Sequence, residues 1–324
     1  MRVALPSAKC LCVIATLMTA SPALAQSYPD HSIRVVIPYA PGGGTDIVFR
    51  LLSPDASALL GQSIVVDNHP GGSSMIGSAV VSRAAPDGYT LLATDSALLI
   101  NPGIFKAQMT FDTLKDLQAV IMLATAPALL VVNPSVPAKN LAELIALAKS
   151  KPGALNYASG GVGSAPHLAA ELLKQAAGID IAHIPYKGTG PALQAILGGQ
   201  VDLAFLGISS AGAYVASGQL HAIAVTGDQR NPSLPDVPTF AENKLDVNGN
   251  SYWGIYAPTG VPKPIVDQLN SAFSKALHRP ENEKRLAELG YAPLTSSPEQ
   301  STAQFRAMVQ QWTEVVDKAK IKVE

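Results

Sequence analysis

Ile33-Arg34-Val35-Val36-Ile37-Pro38-Tyr39-Ala40-Pro41-Gly42-Gly43-Gly44-Thr45-Asp46 decides the fold. The β-branched run 33–38 reads as a strand, the glycines as a tight turn, and the sequence from Thr45 as a helix. Outward from it the same beat repeats. Strands are expected at 64–67, 90–94, 119–132 (one strand or two, because Pro127 interrupts), 156–158, 183–185, 203–206, 222–226 and 251–256. Helices are expected at 75–84, 141–149, 166–177, 191–197, 263–277 and 298–319, the last with Phe305, Met308, Trp312, Val315 and Val316 as a packing stripe. Several strands are too continuously apolar for a sheet with one wet face, which points to parallel sheets covered by helices on both sides. Pro54 falls where the first helix ought to continue, so Ser53-Pro54-Asp55 is expected to end one helix and cap a second.

Composition narrows the function. The chain has 324 residues, 48% hydrophobic and 15% charged, with 23 Lys+Arg against 24 Asp+Glu. That is too apolar for disorder and lacks the basic excess of a sequence-neutral nucleic-acid binder. The length suits about two domains. Arg2 and Lys9, the apolar run 10–20 and Ala23-Leu24-Ala25 read as a signal peptide over 1–25, too short to span a bilayer. Cleavage there removes two basic residues and no acidic one, so the net charge moves from -1 to about -3. It also removes both cysteines, Cys10 and Cys12, excluding thiol chemistry and Cys-metal sites in the mature protein. No later apolar run is long enough to span a membrane.

A two-lobed α/β architecture follows, each lobe a mixed, mostly parallel sheet flanked by helices, with a cleft between. The connection 227–250, with Pro232, Pro235 and Pro238, suits a passage between lobes. Lobe 1 is then 26–125 with 248–324, and lobe 2 is 126–247.

Three glycine loops join strands to helices: Pro41–Asp46, Ala158–His167 and Tyr186–Gly190. Their N–H groups and the positive ends of the helices that follow suit an anion, although a glycine turn that merely permits βα packing reads the same locally. Neither a phosphate-binding Gly-Lys-Ser/Thr loop nor Gly-x-Gly-x-x-Gly is present. Loops facing each other across the cleft would grip a carboxylate through neutral donors, with Lys187 the one cation among them. The competing class is an enzyme: Gly207-Ile208-Ser209-Ser210-Ala211 comes within one residue of the Gly-x-Ser-x-Gly elbow. His31, His69, His167, His183, His221 and His278 show no metal-ligand spacing, and no metal or cofactor is expected.

The order of motifs resembles the Bug family, the periplasmic solute-binding proteins of tripartite tricarboxylate transporters. The resemblance runs from Tyr28-Pro29 through Ile37–Asp46 with Arg50, Val66-Asp67-Asn68, Pro70-Gly71-Gly72, Pro86–Thr90, Asn156–Gly160, Gly163-Ser164 with His167, His183–Gly188 and Gly198–Asp202 to Leu234–Thr239 with Glu242. It implies a periplasmic-binding-protein fold, a small organic carboxylate as ligand, and delivery to inner-membrane transporter subunits or a sensor, without catalysis. The implied ligand set is Gly43, Gly44, Thr45 and Asp46 on one side, and Ser159, Gly160, Gly163, Ser164 and His167 on the other. Ser96, Thr189 and Ile208 are softer additions, and a monomer is the default. Val162, Leu206, Ile208, Tyr252 and Trp253 are expected to form a flat apolar pocket, suited to an aromatic carboxylate as well as an aliphatic one. Alanine at Ser159 or Thr45 is expected to weaken binding and leave stability nearly unchanged. His69, where relatives carry arginine, and Pro54 are read as structural departures.

Overall fold

A computed structural model describes residues 28–42, 44–186 and 188–321. The expected leader, with Cys10 and Cys12, lies outside the described residues, as do Gly43 and Lys187. The first part of the chain runs β1 (Ile33–Ile37), α1 (Gly44–Leu60), β2 (Ile64–Asn68), α2 (Met75–Ser82), β3 (Thr90–Asp95), α3 (Ala97–Ile104), α4 (Thr113–Asp116) and β4 (Leu117–Ala126). A central part follows as β5 (Ala128–Val132), α5 (Leu141–Ser150), β6 (Asn156–Ser159), α6 (Ala165–Ala177), β7 (Ala182–Pro185), α7 (Thr189–Leu197), β8 (Leu203–Gly207), α8 (Ile208–Ala216) and β9 (His221–Val225). The chain closes with β10 (Ser251–Pro258), α9 (Lys263–Leu277), α10 (Pro280–Glu288), β11 (Ala292–Pro293) and α11 (Pro298–Ala319).

Two sheets result, ordered β11-β4-β10-β3-β1-β2 and β7-β6-β8-β5-β9. Each is mixed. The pairings β2-β1-β3 and β7-β6-β8 are parallel, whereas β4, β10 and β11 in one sheet, and β5 with its neighbours in the other, pair antiparallel. Parallel pairing is thus less dominant than the apolar runs suggest, because burial on both faces makes an antiparallel strand equally apolar. In β5, Leu130 and Val132 enter one core cluster while Leu129 and Val131 enter the cluster on the opposite face. The period of two therefore puts every residue of the run in a core.

Pro127 stands alone between β4 and β5, and with no N–H to continue a ladder it marks where the chain leaves one sheet for the other. The return is at Asn250–Ser251. The connecting segment 227–250 stays with the second sheet for most of its length: Phe240 N donates to Val225 O at 3.1 Å, and Phe240 and Val247 are buried in that lobe's core. Short bonds tie the two crossings together. Thr125 Oγ1 donates to Ser251 O at 3.0 Å, Ala128 N donates to Thr226 Oγ1 at 2.8 Å, and Thr226 Oγ1 also meets Asn250 Oδ1. The α11 stripe packs against the first sheet's core and also takes in Leu168 of α6, so this helix braces both lobes.

The break expected at Ser53-Pro54-Asp55 does not occur, and α1 runs through Pro54. Val48, Phe49 and Leu52 before the proline, and Ala56 and Leu60 after it, are all buried against the first core. At about 1.5–3 kcal/mol for each large side chain, that burial outweighs the ~3 kcal/mol a helical proline costs. Asp55 caps nothing; it pairs with Arg279 and accepts from Asn282 Nδ2 at 2.8 Å, fastening α1 to α10. Pro54→Ala should accordingly stabilise the protein by roughly 1–3 kcal/mol, visible as a higher denaturation midpoint with an unchanged slope. An unchanged midpoint would mean that the helix already accommodates the proline without cost.

Candidate functional site

The loop after β1 is held by the carboxylate of Asp46, 3% exposed. Its Oδ2 accepts from Gly42 N at 2.9 Å and Arg50 Nε at 2.9 Å, and its Oδ1 accepts from Asn68 Nδ2 at 3.1 Å. Burial works against the charge, but these donors hold the Asp46 carboxyl below its ordinary range. Asp46 is therefore a brace inside the loop, and the loop presents Gly42, Gly44 and buried Thr45 to the cleft. Gly44 lies close to the tip of Tyr291: a Cβ there would stand 2.9 Å from Tyr291 Oη, so a larger residue would have to displace that hydroxyl.

The corresponding loop of the second lobe is braced by histidines. Gly163 N donates to His167 Nδ1 at 3.1 Å, which places the imidazole proton on Nε2. His167 stacks on His183 at 4.0 Å between ring centres, and His183 on Tyr157 at 4.8 Å. Burial pushes His167 down to about 3 and His183 down to about 4, so both rings are neutral near pH 7. Ser159 is 1% exposed; its Oγ lies 2.6 Å from His183 Nε2 and accepts from Gly161 N at 3.1 Å. Ser164 caps α6, and its Oγ donates to Gly161 O at 2.8 Å. The N–H groups of Gly161 and Gly163 are thus used inside the loop rather than offered to an anion.

Between these loops lies a cavity of about 320 Å³ walled by both lobes. Tyr39, Ser73, Asp95, Ser96, Ile100 and Asn101 form one side, Gly160 and Val162–Pro166 the other, and Ser251 and Trp253 of β10 the floor. A neighbouring hollow beside Gly42, Gly44 and Thr45 shares Tyr39, Asp95 and Trp253 with it. The lobes touch at one edge: Gly163, at φ +80, leaves so little room that a Cβ would stand 2.8 Å from Ile104 Cδ1 of α3. Ser96 Oγ accepts from Tyr252 N at 2.8 Å, linking the rim to the crossing strand. Ser73 and Ser74 both sit at positive φ, a conformation costly for non-glycine residues, and Asn101 Nδ2 holds them by donating to Ser73 O at 2.7 Å and Ser74 Oγ at 3.3 Å.

Of the residues expected in the site, Gly44, Thr45, Ser96, Gly160, Gly163 and Ser164 reach the cleft. Asp46, Ser159 and His167 shape it from behind. Thr189 is exposed on α7, and Ile208 packs with Leu206 in the second lobe's core; neither is in the cavity wall. Of the expected apolar pocket only Val162 and Trp253 line the cleft, since Leu206 and Tyr252 are buried in cores. Because Ser159 is buried and bonded, its replacement by alanine is expected to cost stability as well as affinity. Tyr39, Asp95, Asn101 and Ser73 went unread in the sequence as cleft residues. Asp95 could have been found from its place at the end of a strand beside Ser96. Ser209, the elbow serine, is exposed at the start of α8, where Gly290 approaches it closely. His69 pairs with Asp67 at 2.9 Å and lies 3.2 Å from Arg34, a surface contact away from the cleft. No His/Cys/Asp/Glu group suited to a metal occurs among the described residues, and none of their helices is long and apolar enough to cross a membrane.

Two sheets joined by crossing strands, with a small polar cavity between glycine loops, define a two-lobed solute-binding protein. The chain belongs to the tripartite tricarboxylate transporter receptor family, TctC, whose model matches residues 48–321. It is 33% identical over 305 residues to protein BugT of Bordetella pertussis, covering 94% of each chain. A Rhodopseudomonas palustris protein solved with adipate superposes with TM-score 0.75 at 32% identity, covering 91% of this chain and 100% of that one. MatC of Rhodopseudomonas palustris, solved with bound malate, superposes with TM-score 0.71 at 32% identity, covering 89% and 100%.

The histidine stack gives the protein an acid-side weakness. Unfolded histidines take up protons near pH 6.5, whereas His167 and His183 resist until far lower, so protons favour the unfolded chain as pH falls below about 6.5. The melting temperature should fall from pH 6.5 towards pH 4, and His183→Gln should flatten that slope. An equal slope in the variant would place the acid sensitivity elsewhere.

Proposed function

We propose that this protein is a periplasmic receptor that captures a small organic carboxylate between its lobes and presents it to the membrane subunits of a tripartite tricarboxylate-type transporter. The observation that carries the reading is the two-walled cavity of about 320 Å³ at the N-terminus of α6. At about 30 Å³ per water it has room for roughly ten, which suits a small metabolite. Family membership and relatives solved with adipate and malate support a carboxylate. One carboxylate end is received by the α6 N-terminus, with Gly160, Val162, Gly163 and Ser164 around it and the helix dipole favouring negative charge. Gly44, Thr45 and Ser96 close on the ligand from the other lobe. The remainder of the ligand, aliphatic or aromatic, lies against Val162 and Trp253, whose buried Nε1 has no partner of its own. Closure is driven by contacts that exist only when both loops reach the ligand.

A panel of aliphatic and aromatic mono-, di- and tricarboxylates tests this by thermal shift. A ligand at a hundredfold excess over Kd stabilises by about 2.7 kcal/mol, and hits should fall within one chemical class. A panel without any stabilising acid, in protein shown by mass spectrometry to be ligand-free, would sink the carboxylate reading. Gly163→Val should weaken binding of any hit at least tenfold by calorimetry, because the side chain strains the loop and props Ile104 away; full affinity in the variant would remove this edge from the site.

A further inference from the structure

Asp95 is the one charged side chain in the described walls of the two joined hollows, and no cation faces it there. It sits at the end of β3, where the chain turns into α3, mostly buried but lining both hollows. Tyr39 Oη at 2.6 Å and Ala97 N at 2.9 Å both donate to one oxygen, Oδ1, and the residue's own N–H and Thr45 add weaker contacts. The second oxygen, Oδ2, is left for the cavity side and for Thr45. Burial raises the Asp95 carboxyl above its ordinary range, against the pull of those donors. The group is therefore short of donors for the water it has lost. Surrounding titratable groups do not help: Tyr39, Tyr256 and Tyr291 are all raised by burial and stay neutral, and the α1 charges Asp46 and Arg50 pair with each other.

From this placement we infer that the ligand is a carboxylate that also carries a hydrogen-bond donor, a hydroxyl or amino group, and that Asp95 reads that donor. The inference rests on the carboxylate reading above and narrows it. The two ends of the cleft have opposite preferences. The α6 N-terminus accepts negative charge, whereas a second bare carboxylate set against Asp95 would meet like charge at short range. A hydroxyl satisfies Oδ2 with a charge-assisted bond, and an ammonium also neutralises the buried charge. Specificity built on a buried group that needs a partner is strong, because an analogue lacking the donor leaves that group unpaired.

Matched series separate the possibilities: succinate, malate and aspartate; glutarate, hydroxyglutarate and glutamate; benzoate, hydroxybenzoate and aminobenzoate. Calorimetry should show that donor-bearing members of the series that fits the cleft bind at least tenfold tighter than the plain acid. Hydroxyl against amino within a series tells which donor is read. Asp95→Asn, which keeps the shape and removes the charge, should reduce that preference to less than about threefold. Wild-type protein supplies a second readout that does not depend on the variant folding. The preference should shrink as pH falls and Asp95 protonates, since only the ionised carboxylate accepts at both oxygens. Equal affinity for plain and donor-bearing acids would overturn the inference and leave the carboxylate reading standing. So would plain diacids that bind more weakly as pH rises, which would make protonated Asp95 a donor. Failure of every acid to bind would overturn both.

Discussion

The passage of the chain from one sheet to the other is the constraint on which the rest depends. At Pro127 a single residue without an N–H separates β4 from β5, so one buried run serves two sheets. The return at Asn250–Ser251 is tied to it through Thr125, Thr226 and Ala128. Two adjacent strands crossing together leave the lobes close on the side where α11 meets α6, and open a cleft where the glycine loops end. The cavity is a consequence of that connection, with Ser251 and Trp253 of the crossing strand as its floor.

Within the cleft the two lobes solve the same problem with different chemistry. In the first, an ionised carboxylate, Asp46, gathers donors from the loop, the helix and the next strand. In the second, neutral imidazoles do the gathering, and His167 accepts the N–H of Gly163 from the rear. Both arrangements spend polar groups on fixing backbone that would otherwise be free, which is how a glycine-rich loop becomes a preorganised surface. The cost is that fewer N–H groups are left for a ligand than the loop sequences suggest.

Much of the fold was legible from periodicity and turn residues. The strand at Ile33–Ile37 and the helices at Lys263–Leu277 and Pro298–Ala319 followed from local pattern, and the motif order pointed to the family. Local pattern failed at Pro54, where burial on both sides of the proline kept the helix whole. It also failed at α3, whose Pro102 and Gly103 disguise a helix that packs on α11.

The site divides along the same line. Sequence alone determined that strand–glycine–helix junctions occur at Gly42–Thr45 and Gly160–Ser164, because backbone turns of that kind need those residue types wherever they fall. Only the tertiary structure decided which side chains face the ligand space and which stand behind it. Ser159, His167 and Asp46 are neighbours in sequence of cleft residues, yet their polar atoms point into the loops. Asp95 ends β3, Tyr39 lies in the loop after β1 and Asn101 is in α3, and they meet only after the first sheet has formed. Hydrogen-bond partnership is a matter of direction and distance across the fold, and residue type and spacing along the chain carry no information about either.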